Sequence, residues 1–363
     1  MGTDVTSLIR LGIVGTGRMA ATMVHTVATL PETMVTAVAS GDADRAKRFG
    51  EIFRIAHTCA SATELASRPD VDAVYIANRS ADHVAAAKAA LSAGKPVLVE
   101  KPLAVTEQEG AELIAEARSR RCLLVENMWC LTLPAYRELS SRLKGGEYGE
   151  AVHLAFDFGY PMDRKTYPSL FDASDGGVLR DRAVYGVSLA LNLLGPVRML
   201  RSSLLRDRDG VDVTAAIQLT HASGAISQLA FAINALMSNS AALACTKGVL
   251  RLDAPTIGTE SISARQMTPL SASDFLQPLR SKAQLIAKLK AVPALRQLNR
   301  RRSVPRSTLL SYGADPYRPA LQHFCELVRT GQKESPLIPL DLSLDTLRLV
   351  DAARHADHRS LET

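Results

Sequence analysis

The chain has 363 residues, of which 47% are hydrophobic and 22% charged, and its formal net charge is +6. That length suits about two domains, because single cores seldom grow past roughly 250 to 300 residues, and the composition excludes a disordered or low-complexity chain. No apolar run approaches a membrane span or reads as a secretory signal. The five cysteines lie at irregular spacings without a Cys-x-x-Cys pair, so a disulfide framework and a metal cluster are not expected, and the chain reads as a cytoplasmic protein with reduced thiols.

The first expected element is a buried parallel strand over Leu8 to Val14, followed by Gly15-Thr16-Gly17-Arg18-Met19-Ala20. In this Gly-x-Gly-x-x-Ala turn, Gly15 permits the tight bend, Gly17 lets the backbone approach a pyrophosphate, and Ala20 lets the next helix pack closely on the strand. The helix N-terminus then faces the phosphates. The next strand, Val35 to Ala39, ends at Ser40-Gly41 without the acidic residue that usually holds the ribose hydroxyls of NAD. Ser40, with Arg18 and Arg45 nearby, suits a 2′-phosphate, so NADP is the preferred cofactor and NAD the possible one. The alternative is that Asp42 or Asp44 supplies the acid from one turn later.

Strand and helix continue to alternate: a strand from Asp72 to Ala77, a helix from Asp82 to Ala93, then Val97-Leu98-Val99 running into Glu100-Lys101-Pro102. A charged pair at a strand end is poor core material, and in an open parallel sheet such an end faces the ligand crevice. The proline biases Lys101 toward an extended backbone and so helps aim its side chain. Thr106 and Glu109 form a Thr-x-x-Glu capping box that opens a helix through about Arg120, and Cys122 to Glu126 is a further strand. This series predicts an α/β Rossmann domain over residues 1–126. From 127 to 363 the pattern changes to hairpin-spaced strands, including Ala151 to Tyr160, Val211 to Thr220, Ala225 to Ala235, Ala241 to Thr246 and Val249 to Asp253. These predict an α+β domain with an open-faced, mainly antiparallel sheet.

Within the second domain, Asp175-Gly176-Gly177-Val178-Leu179-Arg180-Asp181-Arg182-Ala183-Val184-Tyr185 leads into a helix that puts Asp181, Tyr185 and Ser188 on one stripe. A phenol beside a carboxylate is costly to bury without a use. The glycine turn, Glu100-Lys101-Pro102 and this Gly-Gly-x-Leu-x-Asp-x-x-x-Tyr helix together resemble the Gfo/Idh/MocA family of oxidoreductases over nearly the whole chain. Glu334 to Asp341 resembles the family's C-terminal signature, and Met128-Trp129 with Leu170-Phe171-Asp172 resembles the branch that carries Tyr where many members carry His. That branch includes glucose-fructose oxidoreductase, xylose dehydrogenase and dihydrodiol dehydrogenase.

The resemblance implies Lys101, Tyr185 and Asp181 as catalytic residues, and Gly15, Thr16, Gly17, Arg18, Met19, Ser40, Arg45, Ala77, His83, Glu100 and Lys101 as cofactor contacts. It implies a sugar, cyclitol or diol substrate and a homo-oligomer, dimer or tetramer, built on the open sheet face. A neighbouring ammonium lowers a phenol's pKa, so Lys101 is expected to favour the Tyr185 phenolate. Three positions depart from the pattern: Asp175 replaces a glycine, Leu131 stands where the branch often has Arg, and Arg180 and Arg182 flank Asp181 where aliphatic residues are common. The two arginines bind an anionic substrate group, or pair with Asp175 and Asp181.

Residues 280–306 hold nine Lys or Arg and no acid, which leaves the rest of the chain at −3. Leucines at helical spacing make the segment a candidate basic amphipathic helix, expected to serve as a lid or oligomer contact; without interleaved aromatics it gives no expectation of nucleic-acid binding. Two other classes stand beside the enzyme: a catalytically weak or silent dinucleotide-binding homologue, and a protein whose basic arm docks on an acidic partner or membrane.

Overall fold

The computed structural model describes residues 8–174, 176–267, 293 and 306–356. The first sheet has six strands: β1 (Ile9–Val14), β2 (Thr33–Ala39), β3 (His57–Cys59), β4 (Ala73–Ile76), β5 (Val97–Val99) and β6 (Leu124–Glu126). All pairings are parallel and the order is β3-β2-β1-β4-β5-β6. Helices α1 (Arg18–Val27), α2 (Ala43–Phe53), α3 (Ala62–Ser67), α4 (His83–Ser92) and α5 (Glu107–Arg120) provide the crossovers. The strands are apolar on both faces because helices cover both, and Leu11, Ile13, Val74, Ile76, Val97 and Val99 are fully buried. The capping box that opens α5 is formed at both ends, with Thr106 Oγ1 accepting from Glu109 N–H at 3.2 Å and Glu109 Oε2 accepting from Thr106 N–H at 3.2 Å. Chain order reverses between β1 and β4, so their carboxyl ends open a crevice.

The second sheet has eight strands in the order β14-β13-β12-β11-β7-β10-β9-β8. They are β7 (Ala151–Gly159), β8 (Val197–Arg206), β9 (Asp212–His221), β10 (Ile226–Ala232), β11 (Ala241–Cys245), β12 (Gly248–Leu252), β13 (Ser261–Gln266) and β14 (Arg306–Leu309). All neighbours are antiparallel except β10 and β7, which run parallel and make the sheet mixed. One face buries Leu154, Phe156, Ile217, Leu229, Phe231 and Leu250 beneath α6 (Pro134–Lys144) and α7 (Val184–Leu194). The other carries His153, Gln218, Gln228 and Arg251, with partial exposure. Along β7, Leu154 and Phe156 are core, Phe158 is half-buried, and Val152 is half exposed at 50%.

After β14, α8 (Arg318–Arg329) and α9 (Leu340–His355) return to the first sheet. Leu340 and Leu347 join its core, while Arg118 bonds Glu334 and Asp341 at 2.8 and 2.9 Å and Arg348 bonds Glu107 at 2.8 Å. The basic segment 280–306 lies almost wholly outside the described residues, as does Asp175. Among the described residues no helix is long and apolar enough to cross a membrane, and no group of His, Cys, Asp and Glu has the geometry of a metal site.

Candidate active site

The crevice is built from four strand ends. Gly15 follows β1 with φ +117°, where an added Cβ would lie 2.5 Å from the Ala77 carbonyl oxygen that follows β4, so only glycine fits that turn. Gly17 caps α1 without a side-chain hydrogen bond, no acid occupies the helix's first turn, and a Cβ there would meet nothing within 4 Å. The turn therefore leaves open space at Gly17 beside the uncapped positive end of α1, which fits a pyrophosphate. Thr16 and Met19 are half-buried beside this turn and Arg18 is exposed. The Arg18 guanidinium lies 5.7 Å from the centre of the Tyr167 ring. Gly17→Ala is expected to keep the wild-type melting temperature and weaken NADPH binding by about tenfold or more, while Gly15→Ala lowers both; thermal melts and nicotinamide fluorescence titrations read the two effects separately.

At the end of β2, Ser40 Oγ accepts from the Asp42 N–H at 3.2 Å, and Asp42 caps α2 by accepting from the Arg45 N–H at 3.0 Å. The Arg45 side chain pairs with Asp42 at 3.1 Å. Asp42 thus spends its carboxylate on the helix cap, and hydrogen bonding from the Arg45 backbone holds its pKa below the usual value. The Ser40 hydroxyl and the Arg45 guanidinium thus meet at this strand end, each already engaged with Asp42.

Lys101, one residue past the buried Glu100, is the cation of the site. Its Nζ donates to Asp181 Oδ1 at 2.7 Å and to the Asp181 carbonyl at 2.8 Å, and lies 5.0 Å from the centre of the Tyr185 ring. Glu100, expected with His83 among the cofactor contacts, is 5% exposed and His83 1%, so the side chains of both are packed beneath the crevice. Glu100 Oε1 accepts from Tyr75 Oη and from Asn127 Nδ2, each at 2.6 Å; His83 Nδ1 contacts the Pro102 carbonyl at 2.9 Å. Burial pushes the Glu100 carboxyl up and the His83 imidazole down. These bonds tie Glu100 to β4 and to the end of β6, and Pro102 to the start of α4.

Asp181 sits in a π-helical turn, Leu179–Ala183, whose start is tied by the buried Asp212 accepting from the Leu179 N–H at 2.8 Å. Burial raises its carboxyl, but the Lys101 ammonium, with Arg182 and Arg18, outweighs that and holds the pKa below the ordinary carboxylate range. Tyr185, in the first turn of α7, is 6% exposed. Its Oη accepts a hydrogen bond from Trp129 Nε1 at 3.2 Å. Trp129 in turn packs on Tyr317 with ring centres 4.6 Å apart, and Phe158 meets Tyr185 at 5.8 Å. Burial, then the charges of Asp181 and Glu100, push the Tyr185 phenol well above its ordinary value. Lys101 is expected to favour the phenolate; here the ammonium is bonded to Asp181 and lies over the Tyr185 ring, and the phenol is pushed toward its neutral form.

Ser188, on the same expected stripe, bonds back to the Tyr185 carbonyl at 3.1 Å and is structural. Arg182 is unavailable to a substrate anion, since its side chain is 4% exposed and Nη1 donates to the carbonyls of Ala232 and Tyr160. The Arg180 Nη1 donates to the Ser174 carbonyl. Leu131 is packed in the core. Sequence reasoning missed Tyr317 as part of the site, because it arrives at the N-cap of α8 from beyond the basic segment, and treated Trp129 only as a family mark.

Comparison with known proteins gives the family and the fold. Residues 9–128 match the description of an oxidoreductase family with an NAD-binding Rossmann fold, and residues 136–251 match the C-terminal domain of Gfo/Idh/MocA proteins. The trans-1,2-dihydrobenzene-1,2-diol dehydrogenase of Homo sapiens is 31% identical over 355 residues, covering 96% of each chain. The Macaca fascicularis enzyme of that name is 31% identical over 92% of each chain. A 3-ketoreductase from Actinomadura kijaniata, solved with NADP and TDP-benzene, is 27% identical with a TM-score of 0.78 over 97% of this chain and 98% of that one. The aldose-aldose oxidoreductase of Caulobacter crescentus shares the fold at a TM-score of 0.77 and 20% identity over 96% of this chain and 97% of that one. With its NAD(P)-binding Rossmann domain and the second sheet that completes the site, the chain belongs to the Gfo/Idh/MocA family of oxidoreductases.

Proposed function

We propose that the protein is an NADP-dependent dehydrogenase or reductase that interconverts a carbinol and a carbonyl carbon in a sugar, cyclitol or diol. The observation that carries this reading is the convergence of Lys101, Asp181 and Tyr185, with Arg18 of the α1 start close enough to act on the Asp181 carboxylate. The nicotinamide cofactor supplies or accepts the hydride when bound. Gly15 and Gly17 seat its pyrophosphate, and Ser40 with Arg45 favours a 2′-phosphate over a bare ribose. Lys101 polarises the substrate oxygen, and Tyr185 exchanges the proton with it. The indole N–H can only donate, so Trp129 fixes the Tyr185 oxygen as its acceptor and turns the phenol's own proton toward the site. The aromatic wall of Trp129, Tyr317 and Phe158 suits the apolar face of a ring. A homo-oligomer through the open sheet face and a reducing, cytoplasmic setting for the five free thiols go with this reading.

A silent dinucleotide-binding homologue is the second reading, favoured by the closed ion pair between Lys101 and Asp181. Titration with NADPH, NADH and their oxidised forms, followed by a diol and sugar screen, separates the two. The enzyme reading expects NADPH to bind at least about tenfold tighter than NADH, the equivalent of about 1.4 kcal/mol, and to support turnover. Binding without any turnover favours the silent homologue, and absence of binding sinks both.

A further inference from the structure

Asp181 is shared between two cations, and only one of them can serve a substrate. Oδ1 accepts from Lys101 Nζ at 2.7 Å, while Oδ2 lies 3.7 Å from Arg182 Nε. That second distance exceeds a good hydrogen bond by about half an ångström. Arg182 Nε is a buried donor without a hydrogen-bond partner. The rest of the guanidinium is immobilised: Nη1 donates to the carbonyls of Tyr160 and Ala232, and its carbon lies 5.0 Å from the centre of the Phe158 ring. The group therefore presents one unmet N–H to the free oxygen of Asp181 from a fixed seat against β7 and β10.

We propose that Arg182 is a positioning residue that receives the Asp181 carboxylate when Lys101 turns from it to a substrate oxygen. The inference rests on the reading of Lys101 given above. To touch a substrate, the ammonium must give up at least part of its double attachment to Asp181. The Asp181 side chain is 40% exposed, so water shares in holding the carboxylate once the ammonium leaves, and Arg182 is the fixed cation that remains within 4 Å of it. A guanidinium stays charged throughout the working pH range, so it holds Asp181 ionised with only a small rotation of the carboxylate. In this chain the buried N–H of Arg182, without a hydrogen-bond partner, is the receiving half of a handover.

The test is the titration of Asp181 by carboxyl carbon NMR in full-length protein labelled at aspartate, with Asp181→Asn assigning the signal. The groups facing this carboxylate are Lys101, Arg182, Arg18 and the Tyr185 phenol, and only the first two are varied. In Lys101→Met the handover predicts that Asp181 still titrates below the ordinary carboxylate range. In Lys101→Met/Arg182→Gln it should titrate about one pH unit or more higher. Equal values in the two proteins overturn the proposal. So does a rise of Asp181 above its ordinary value in Lys101→Met alone, an outcome that needs no change at the buried arginine and holds even if Arg182→Gln fails to fold. A kinetic arm adds that Arg182→Gln moves the acid limb of kcat/KM to higher pH with the KM for NADPH unchanged, and that Arg182→Lys restores it. A purely packing role would lower the rate at every pH without moving the limb. The NMR arm needs no turnover, so its failure indicts Arg182, whereas absence of any NADP-linked turnover in the wild type indicts the proposed function.

Discussion

Lys101→Met is expected to lower kcat/KM on the order of 10³-fold while NADPH binds as in the wild type. Methionine has nearly the length of lysine, and the side chain is only 14% exposed, so packing survives the change and the loss is that of the charge. Three things disappear with it: the donor that polarises the substrate oxygen as charge develops there, the ammonium over the Tyr185 ring, and the ion pair with Asp181. Loss of one such preorganised donor costs about 10² to 10³ in rate, and loss of proton-transfer support adds to it. The glycine turn and the α1 N-terminus are untouched, so cofactor affinity stays within about twofold. Steady-state rates on the best substrate of the screen, beside nicotinamide fluorescence titrations, read both halves. A variant that keeps a tenth of the wild-type rate removes Lys101 from the chemistry; one that loses cofactor binding as well moves its role to the nucleotide.

Much of this was legible in the chain because the signals were local. The run from Leu8 to Ala20 sets a buried strand, a turn that only glycine fits and a helix start within thirteen residues, and Thr106 with Glu109 caps α5 through contacts three residues apart. The sheet edge was harder to read. β8 carries Arg198, Met199, Arg201, Leu204 and Leu205 without strict alternation, because it borders the sheet and lies partly exposed. The parallel pairing of β7 with β10 joins segments about seventy residues apart and leaves no local trace. The same limit applies to the site. Lys101 and Tyr185 were visible as residue types, but the sequence could not say that Asp181 would take the ammonium for itself. Nor could it say that Tyr317 would travel back to stack on Trp129. Direction of charge, not identity of residue, is what the fold added.

Tyr185→Phe is the change whose pH dependence separates the roles of phenol and phenolate. Phenylalanine keeps the contacts with Trp129 and Phe158 and the ammonium over the ring, and removes only Oη. Trp129 Nε1 is left without its acceptor, at a cost of about 1 to 3 kcal/mol, which the fold of a chain this size tolerates. Loss of the proton donor lowers the rate of carbonyl reduction about 10² to 10⁴-fold. The sign with pH follows from burial. A phenol whose pKa is raised above about 10 stays protonated across the working range, so in the wild type reduction shows no alkaline fall from this group below that pH. Oxidation of the alcohol needs the deprotonated form, so its kcat/KM should climb about tenfold per pH unit between roughly pH 7 and 9. In Tyr185→Phe that slope should vanish and the residual rate run flat. A rise of equal slope in the variant would assign the proton to another group, with Lys101 next in reach at 5.0 Å from the ring.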